Sequence, residues 1–336
     1  MKRSLVAATA FVLVSVSIAS AAVVPVKVKG RVRIDEFLPA ANGTYLIWSA
    51  NSIAHPRHYD AWVEPLDKST DPVMMNAVGS LRGFTGSTVN GNEAMFQEVT
   101  AGARVTRSNI YFFDVETKVR SAPPAGVNTS DWEWAPSSSP GFILFGRNRF
   151  DSLTAPWDVV LFDRLAGTQM VLDSVKNRCG CIYPGSVTDS YATWAKCVTV
   201  CQVYYYDIVA GLKHLVPNPL GKFQYSSALS QDSSSVYLVR SGRACGAGVK
   251  LMRWDVGGGD PVIVTSLADL EDIWWSPGVY TDIDGHDHVY YGQIHCGGKY
   301  YTDIYRVDDT ETVSVAVTSE RPALGTKRIV RPDARP

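Results

Sequence analysis

The sequence predicts an all-β fold, a six-bladed β-propeller of four-stranded antiparallel blades, on three observations. A strand pattern ending in an acid recurs six times, with the acids at Glu64, Asp114, Asp163, Asp207, Asp255 and Asp308, 44 to 53 residues apart. A repeat of that length falls in the propeller range. Each copy follows a second apolar run, such as Tyr45 to Trp48, Phe142 to Phe145 or Val236 to Val239. Several of these runs lack apolar/polar alternation, the pattern of strands covered on both faces. A turn cluster precedes each run: Asn42-Gly43, Asn90 to Asn92, Pro136 to Pro140, Asp189-Ser190, Asp232 to Ser235 and Asp284-Gly285. Such clusters mark hairpins.

Each element follows in chain order. Lys2 and Arg3, the apolar run Leu5 to Ile18 and the small residues Ala19-Ser20-Ala21 read as an export signal over 1–21, cleaved near Ala21-Ala22. Residues 22–320 carry the repeat. Outer strands follow the acids, as at Met170 to Leu172 and Pro261 to Val264. Asn177 to Pro184 reads as an irregular connection. Ring closure has two candidates, the alternating run Val24 to Ile34 and Val313 to Val317. The basic, proline-bearing segment 321–336 reads as an extended tail. No second run of membrane-spanning length follows the signal, so the expected location is extracytoplasmic.

Lys and Arg number 32 against 33 Asp and Glu, which argues against a nucleic-acid surface. Six cysteines fit an oxidising compartment. Cys197 and Cys201 fall in the loop between the second and third strands of blade four. Cys245 and Cys296 occupy the matching loops of blades five and six, and Cys179 and Cys181 the connection entering blade four. All six therefore share one rim. Cys245 with Cys296 is the natural pair, because adjacent blades set equivalent loops side by side. For the other four, either Cys197 closes on Cys201, or Cys179 and Cys181 each pair with one of them. Strain in a Cys179–Cys181 loop favours the second arrangement.

The repeat resembles that of the TolB-like six-bladed propellers, through Trp275-Ser276-Pro277, Trp134-Ala135-Pro136 and Ile304-Tyr305-Arg306-Val307-Asp308. The resemblance covers about Asp35 to Ser319. It implies a propeller without TolB's small α/β domain. The hydrolase domain of the related peptidases is missing too, since no Gly-x-Ser-x-Gly elbow occurs. By analogy it implies a binding or scaffold module for a protein or glycan partner.

The alternative is an enzyme, a hydrolase or lyase on sugars, peptides or lactones, using acids in the central channel. Asp131 and Glu133 lie on the first strand of blade three, and Glu271 and Asp272 on that of the opposing blade six. Two carboxylates beside tryptophans are what glycoside cleavage requires. No cofactor fingerprint is present. The Cys-x-Cys and Cys-x₃-Cys pairs with His295 nearby half match zinc spacing, and calcium is the other ion the sequence leaves open. Asp282, Asp284 and Asp287 open like a calcium loop. No acid stands at its twelfth position, and the run also reads as an Asp/Gly hairpin turn. His55, Arg57 and His58 form a polar loop without a completed ligand set. Tyr204 to Tyr206 and Tyr300-Tyr301 read as strand packing.

Overall fold

The computed structural model describes residues 25–30, 34–52, 58–100, 107–148, 156–176, 181–218, 222–242, 245–273, 275–296 and 302–309. The expected export signal, the basic tail, Val313 to Val317, Tyr300-Tyr301, His55, Arg57 and Cys179 lie outside them. Every regular element among the described residues is a strand.

β1 (Val26–Lys29) comes first in the chain and pairs last. The first group of four is β2 (Ile34–Ala41), β3 (Tyr45–Ser52), β4 (Tyr59–Pro65) and β5 (Val73–Met74). The second is β6 (Arg82–Asn90), β7 (Glu93–Thr100), β8 (Arg107–Asp114) and β9 (Val119–Ser121), joined to the first by one parallel bridge, Tyr59 to Arg82. The third is β10 (Trp132–Ser138), β11 (Phe142–Asn148), β12 (Pro156–Asp163) and β13 (Thr168–Lys176). The fourth is β14 (Cys181–Val187), β15 (Tyr191–Cys197), β16 (Cys201–Asp207) and β17 (Leu212–Leu215). The fifth is β18 (Phe223–Leu229), β19 (Ser235–Ser241), β20 (Lys250–Asp255) and β21 (Val262–Ser266). In the sixth, β22 (Glu271–Ile273) and β23 (Gly278–Thr281) both pair with β24 (Asp287–His295), and β25 (Thr302–Asp309) follows.

The chain enters β14 at Cys181, so the segment Asn177 to Pro184 is not irregular throughout. Tyr183 and Pro184 already stand in register with Ala195 and Trp194.

Strand periodicity explains how the groups hold together. Successive side chains point to opposite faces, so a strand in the middle of a blade can serve two neighbours. In β3, Ile47 packs toward the second group, while Leu46 and Trp48 pack toward the sixth. In β7, Phe96 faces the first group and Met95 the third. In β19, Leu238 faces the fourth group and Tyr237 the sixth. The same division recurs at β11 and β24, giving six apolar seams in cyclic order. The last seam sets Tyr290 and Ile304 against Ala41, Leu46 and Trp48, so the sixth group packs on the first. The fold is a β-propeller.

The N-terminal candidate closes the ring. β1 pairs antiparallel with β25, Val26 opposite Arg306 and Lys27 opposite Tyr305. Its last residue, Lys29, is buried and reaches Glu64 of the first group at 2.5 Å. The same ammonium stands 4.1 Å from the centroid of the Trp48 ring. A second tie crosses the preceding seam, the disulfide Cys245–Cys296, with Cα atoms 5.7 Å apart. Two disulfides among the described residues fit oxidising surroundings.

The first strands crowd the axis, and glycine marks the tightest approaches. A Cβ on Gly86 would stand 2.4 Å from the Pro136 carbonyl oxygen of the third group. One on Gly185 would stand 2.6 Å from the Ser227 carbonyl oxygen of the fifth.

Gly86→Ala is therefore expected to destabilise by about 1–3 kcal/mol through overpacking. Gly259→Ala, in open space, should stay within about 0.5 kcal/mol. Urea midpoints measure both. Lys29→Ala leaves the Glu64 carboxylate buried without its cation and is expected to cost about 3–5 kcal/mol. The double variant Lys29→Met, Glu64→Leu should recover most of that loss in the same assay.

Candidate functional site: the axial cavity

Five of the first strands carry the same irregularity midway. Register shifts fall between Phe37 and Ala40, Thr85 and Val89, Trp134 and Ser137, Pro184 and Val187, and Tyr225 and Ser227. In the sixth group the break between β22 and β23 occupies that place. At a bulge the strand bends and re-aims its side chains. Leu38, Ala135, Ser226 and Trp275 sit here with φ of 52°, 46°, 56° and 72°. Left-handed backbone at non-glycine residues costs of order 1–3 kcal/mol each and persists only where the surroundings impose it. The imposing surroundings are the neighbouring first strands.

These bends enclose a cavity of about 370 Å³. Trp134, Tyr183, Tyr225 and Trp275 supply aromatic walls, and Thr85, Ser87, Ser226 and Ser276 supply hydroxyls. Trp134 meets Tyr183 edge-on at 6.3 Å between centroids, and Trp275 stacks on Phe37 at 6.4 Å. Trp275 is 43% exposed, the most accessible of these walls to an incoming ligand. Deeper in, the Ser87 hydroxyl donates to the Gly185 carbonyl at 2.7 Å, and that of Ser276 to the Pro184 carbonyl at 3.4 Å. These bonds join non-adjacent groups, so the first strands meet across the axis. A second hollow of about 430 Å³ lies where the first hairpins turn, among Thr88, Ser138, Thr188, Gln231 and Ser233.

The four carboxylates proposed for channel chemistry do not line the axial cavity. Glu133 is fully buried, accepting from the Thr129 hydroxyl at 2.7 Å and from Arg147 Nε at 3.0 Å. Burial pushes its pKa up, against the pull of Thr129 and Arg147. Asp131 donates its amide to Thr129 Oγ1. Glu271 stands 3.7 Å from His295 Nδ1. Asp272 accepts from the Tyr225 hydroxyl at 2.5 Å and from the Ile273 amide at 2.8 Å. It is buried. Burial first, and Asp272 second, raise the pKa of that phenol, which stays a neutral donor.

The calcium-like run forms a hairpin turn between β23 and β24. The Asp282 carboxylate accepts the amides of Asp284 and His286, each at 2.9 Å. These bonds lower its pKa, that of His286 foremost. Asp287 turns inward instead, to the hydroxyls of Thr281 at 2.6 Å and Tyr237 at 2.8 Å. The three acids do not converge. Among the described residues, the set whose donor atoms do come together is Cys245, Asp272 and Cys296. Its two sulfurs are bonded to each other, which removes the thiolates a metal would need.

Cys197 and Cys201 line the axial cavity. They are joined to each other, which leaves Cys181 free and overturns the pairing favoured on strain. Cys197 closes β15 directly opposite Cys201, which opens β16, and the Cα atoms of the bonded pair stand 3.9 Å apart. His58 is exposed. Tyr204 and Tyr205 pack on Trp194 and Trp254, as strand aromatics do.

Sequence reading missed Tyr183, Tyr225, Ser87 and Ser226 as wall residues. A signal exists for them. An aromatic followed within three residues by Ser, Pro or Gly recurs at Phe37, Phe84, Trp134, Tyr183, Tyr225 and Trp275.

No protein-family model and no curated protein matches the sequence. Among solved structures, a protein assigned to TolB from Agrobacterium tumefaciens aligns with a TM-score of 0.50 at 12% identity, over 81% of this chain and 90% of that one. An oligogalacturonate lyase from Vibrio parahaemolyticus gives 0.49 at 10% identity, over 85% and 92%. TolB from Acinetobacter baumannii gives 0.46 at 12% identity, over 82% and 79%. Identities this low speak to the fold and leave the chemistry open. In fold, the chain is a TolB-like β-propeller.

Proposed function

We propose that this propeller is an exported binding module whose protein or glycan partner places an apolar or ring-bearing group in the axial cavity. One observation carries the reading: the cavity is walled by four aromatics and several hydroxyls, with no carboxylate among the described residues that line it. Such a wall stacks on a side chain or a sugar face and offers hydroxyls to fix orientation. The walls are also rigid. Trp134, Tyr183 and Tyr225 sit on the paired strands β10, β14 and β18, and Trp275 stacks on Phe37, so little entropy is lost when a ligand seats. The disulfides on the same face add to that stiffness. Export rests on the leader-like N-terminal sequence and on the two disulfides.

Ligands selected from a peptide library or a glycan array against the whole protein test this. Trp275→Ala is expected to weaken such a ligand by about 2 kcal/mol, roughly thirtyfold in Kd. The ring is 43% exposed and stacks on Phe37, so its loss should cost the fold no more than about 1 kcal/mol, read from the urea midpoint. Ligands that bind wild type and a Trp134→Ala, Trp275→Ala double variant equally would place the binding surface elsewhere.

A further inference from the structure

Three cysteines stand in one row across the fourth group. Cys181 on β14 is directly opposite Cys197 on β15, and Cys197 is directly opposite Cys201 on β16. Directly opposed residues in an antiparallel sheet share a face, with Cβ atoms about 4.5–5.5 Å apart. A disulfide needs about 3.5–4.5 Å, so a small approach would bring Cys181 within bonding reach of Cys197. Cys197 is bonded to Cys201, and Cys181 is free.

We propose that Cys181 attacks the Cys197–Cys201 disulfide, moving the bond from the β15–β16 hairpin to the β14–β15 pair at the wall of the axial cavity. Strand order supplies the geometry. The attacking sulfur and the leaving sulfur flank the central one on opposite sides, as displacement at sulfur requires. The Cys181 thiolate forms a bond to Cys197 Sγ, the Cys197–Cys201 bond breaks, and the departing Cys201 thiolate takes up the proton that Cys181 released. The exchange is neutral in electrons and needs no oxidant or reductant.

The neighbourhood fits this role. The Tyr183 hydroxyl is hydrogen-bonded to Cys181, and burial, ahead of that contact, holds its pKa above the ordinary value. It therefore remains a donor to the sulfur as the thiol ionises. Tyr183, Cys197 and Cys201 all line the axial cavity. Exchange thus leaves a free Cys201 thiol on the cavity wall and releases the loop Val198 to Val200 from its tie. This inference does not depend on what the cavity binds.

The test is alkylation of the native protein with N-ethylmaleimide at pH values from about 6 to 9, then acid quenching, non-reducing digestion and mass spectrometry. Two linkage isomers are expected: Cys197–Cys201 with label on Cys181, and Cys181–Cys197 with label on Cys201. Their interconversion should quicken as the pH rises, because the thiolate is the attacking species, while Cys245–Cys296 stays unlabelled. Cys201→Ser should drive the link to Cys181–Cys197, and Cys181→Ser should leave Cys197–Cys201 alone. Finding Cys181 bonded to Cys179, or labelled without any Cys181–Cys197 isomer across the pH range, overturns the proposal. So does a Cys201→Ser protein in which Cys197 is joined to any cysteine other than Cys181.

Discussion

Everything in this molecule depends on the second strand of each group being covered on both faces at once. A strand has two faces and a propeller blade has two neighbours. Alternate residues of β3, β7, β11, β19 and β24 therefore enter different seams. Burying a large apolar side chain is worth roughly 1.5–3 kcal/mol. That gain is available on both faces only while neither neighbour is missing. The seam between the sixth and first groups consequently bears on all the others, because its loss would expose one face of β3 and one of β24. That seam is also where the chain adds extra ties, β1 on β25 and Lys29 on Glu64.

The axial cavity is a by-product of the same constraint. Six first strands cannot all keep ideal pairing while converging on one axis. They bend at shared positions, with non-glycine residues forced into left-handed backbone at four of them. Where the strands come closest, Gly86 and Gly185 leave out the side chain altogether. Where they part, Trp134, Tyr183, Tyr225 and Trp275 fill the mouth. Strain and the aromatic walls thus occupy the same ring of residues, and the scaffold that imposes the strain also keeps the walls in place.

Much of the fold was legible because it is written as period and composition. The repeating acid, the unalternating second runs and the Asn-Gly and Asp-Gly turns each report local structure. The structure carries strands where those signals fall. What sequence could not give was register. Cys197 has Cys181 on one side and Cys201 on the other, and spacing alone does not say which it bonds. Both Val24 to Ile34 and Val313 to Val317 read as closing strands, and only the pairing of Val26 with Arg306 distinguishes a role for the first. Tyr183 was read as part of an irregular connection because Cys179-Gly180-Cys181 and Pro184 mask a strand that tertiary pairing imposes.

The position of Glu133 follows from the same gap, and parity explains it. Glu133 immediately precedes Trp134 on β10, and neighbouring residues of a strand point to opposite sides. If the tryptophan walls the cavity, the glutamate must turn away from it, into the space that Arg147 and Thr129 occupy. Gln224 precedes Tyr225 in the same relation, and is fully buried too. An acid beside an axial aromatic is therefore the wrong place to look for an axial acid. A side chain reaching the cavity has to share the aromatic's parity or sit on the bulge itself. In this sequence those positions hold Leu38, Thr85, Ala135, Pro184, Ser226 and Ser276. None of these six is charged, so the described wall at the bends is neutral, and the charge of Glu133 is held on the other side of its strand.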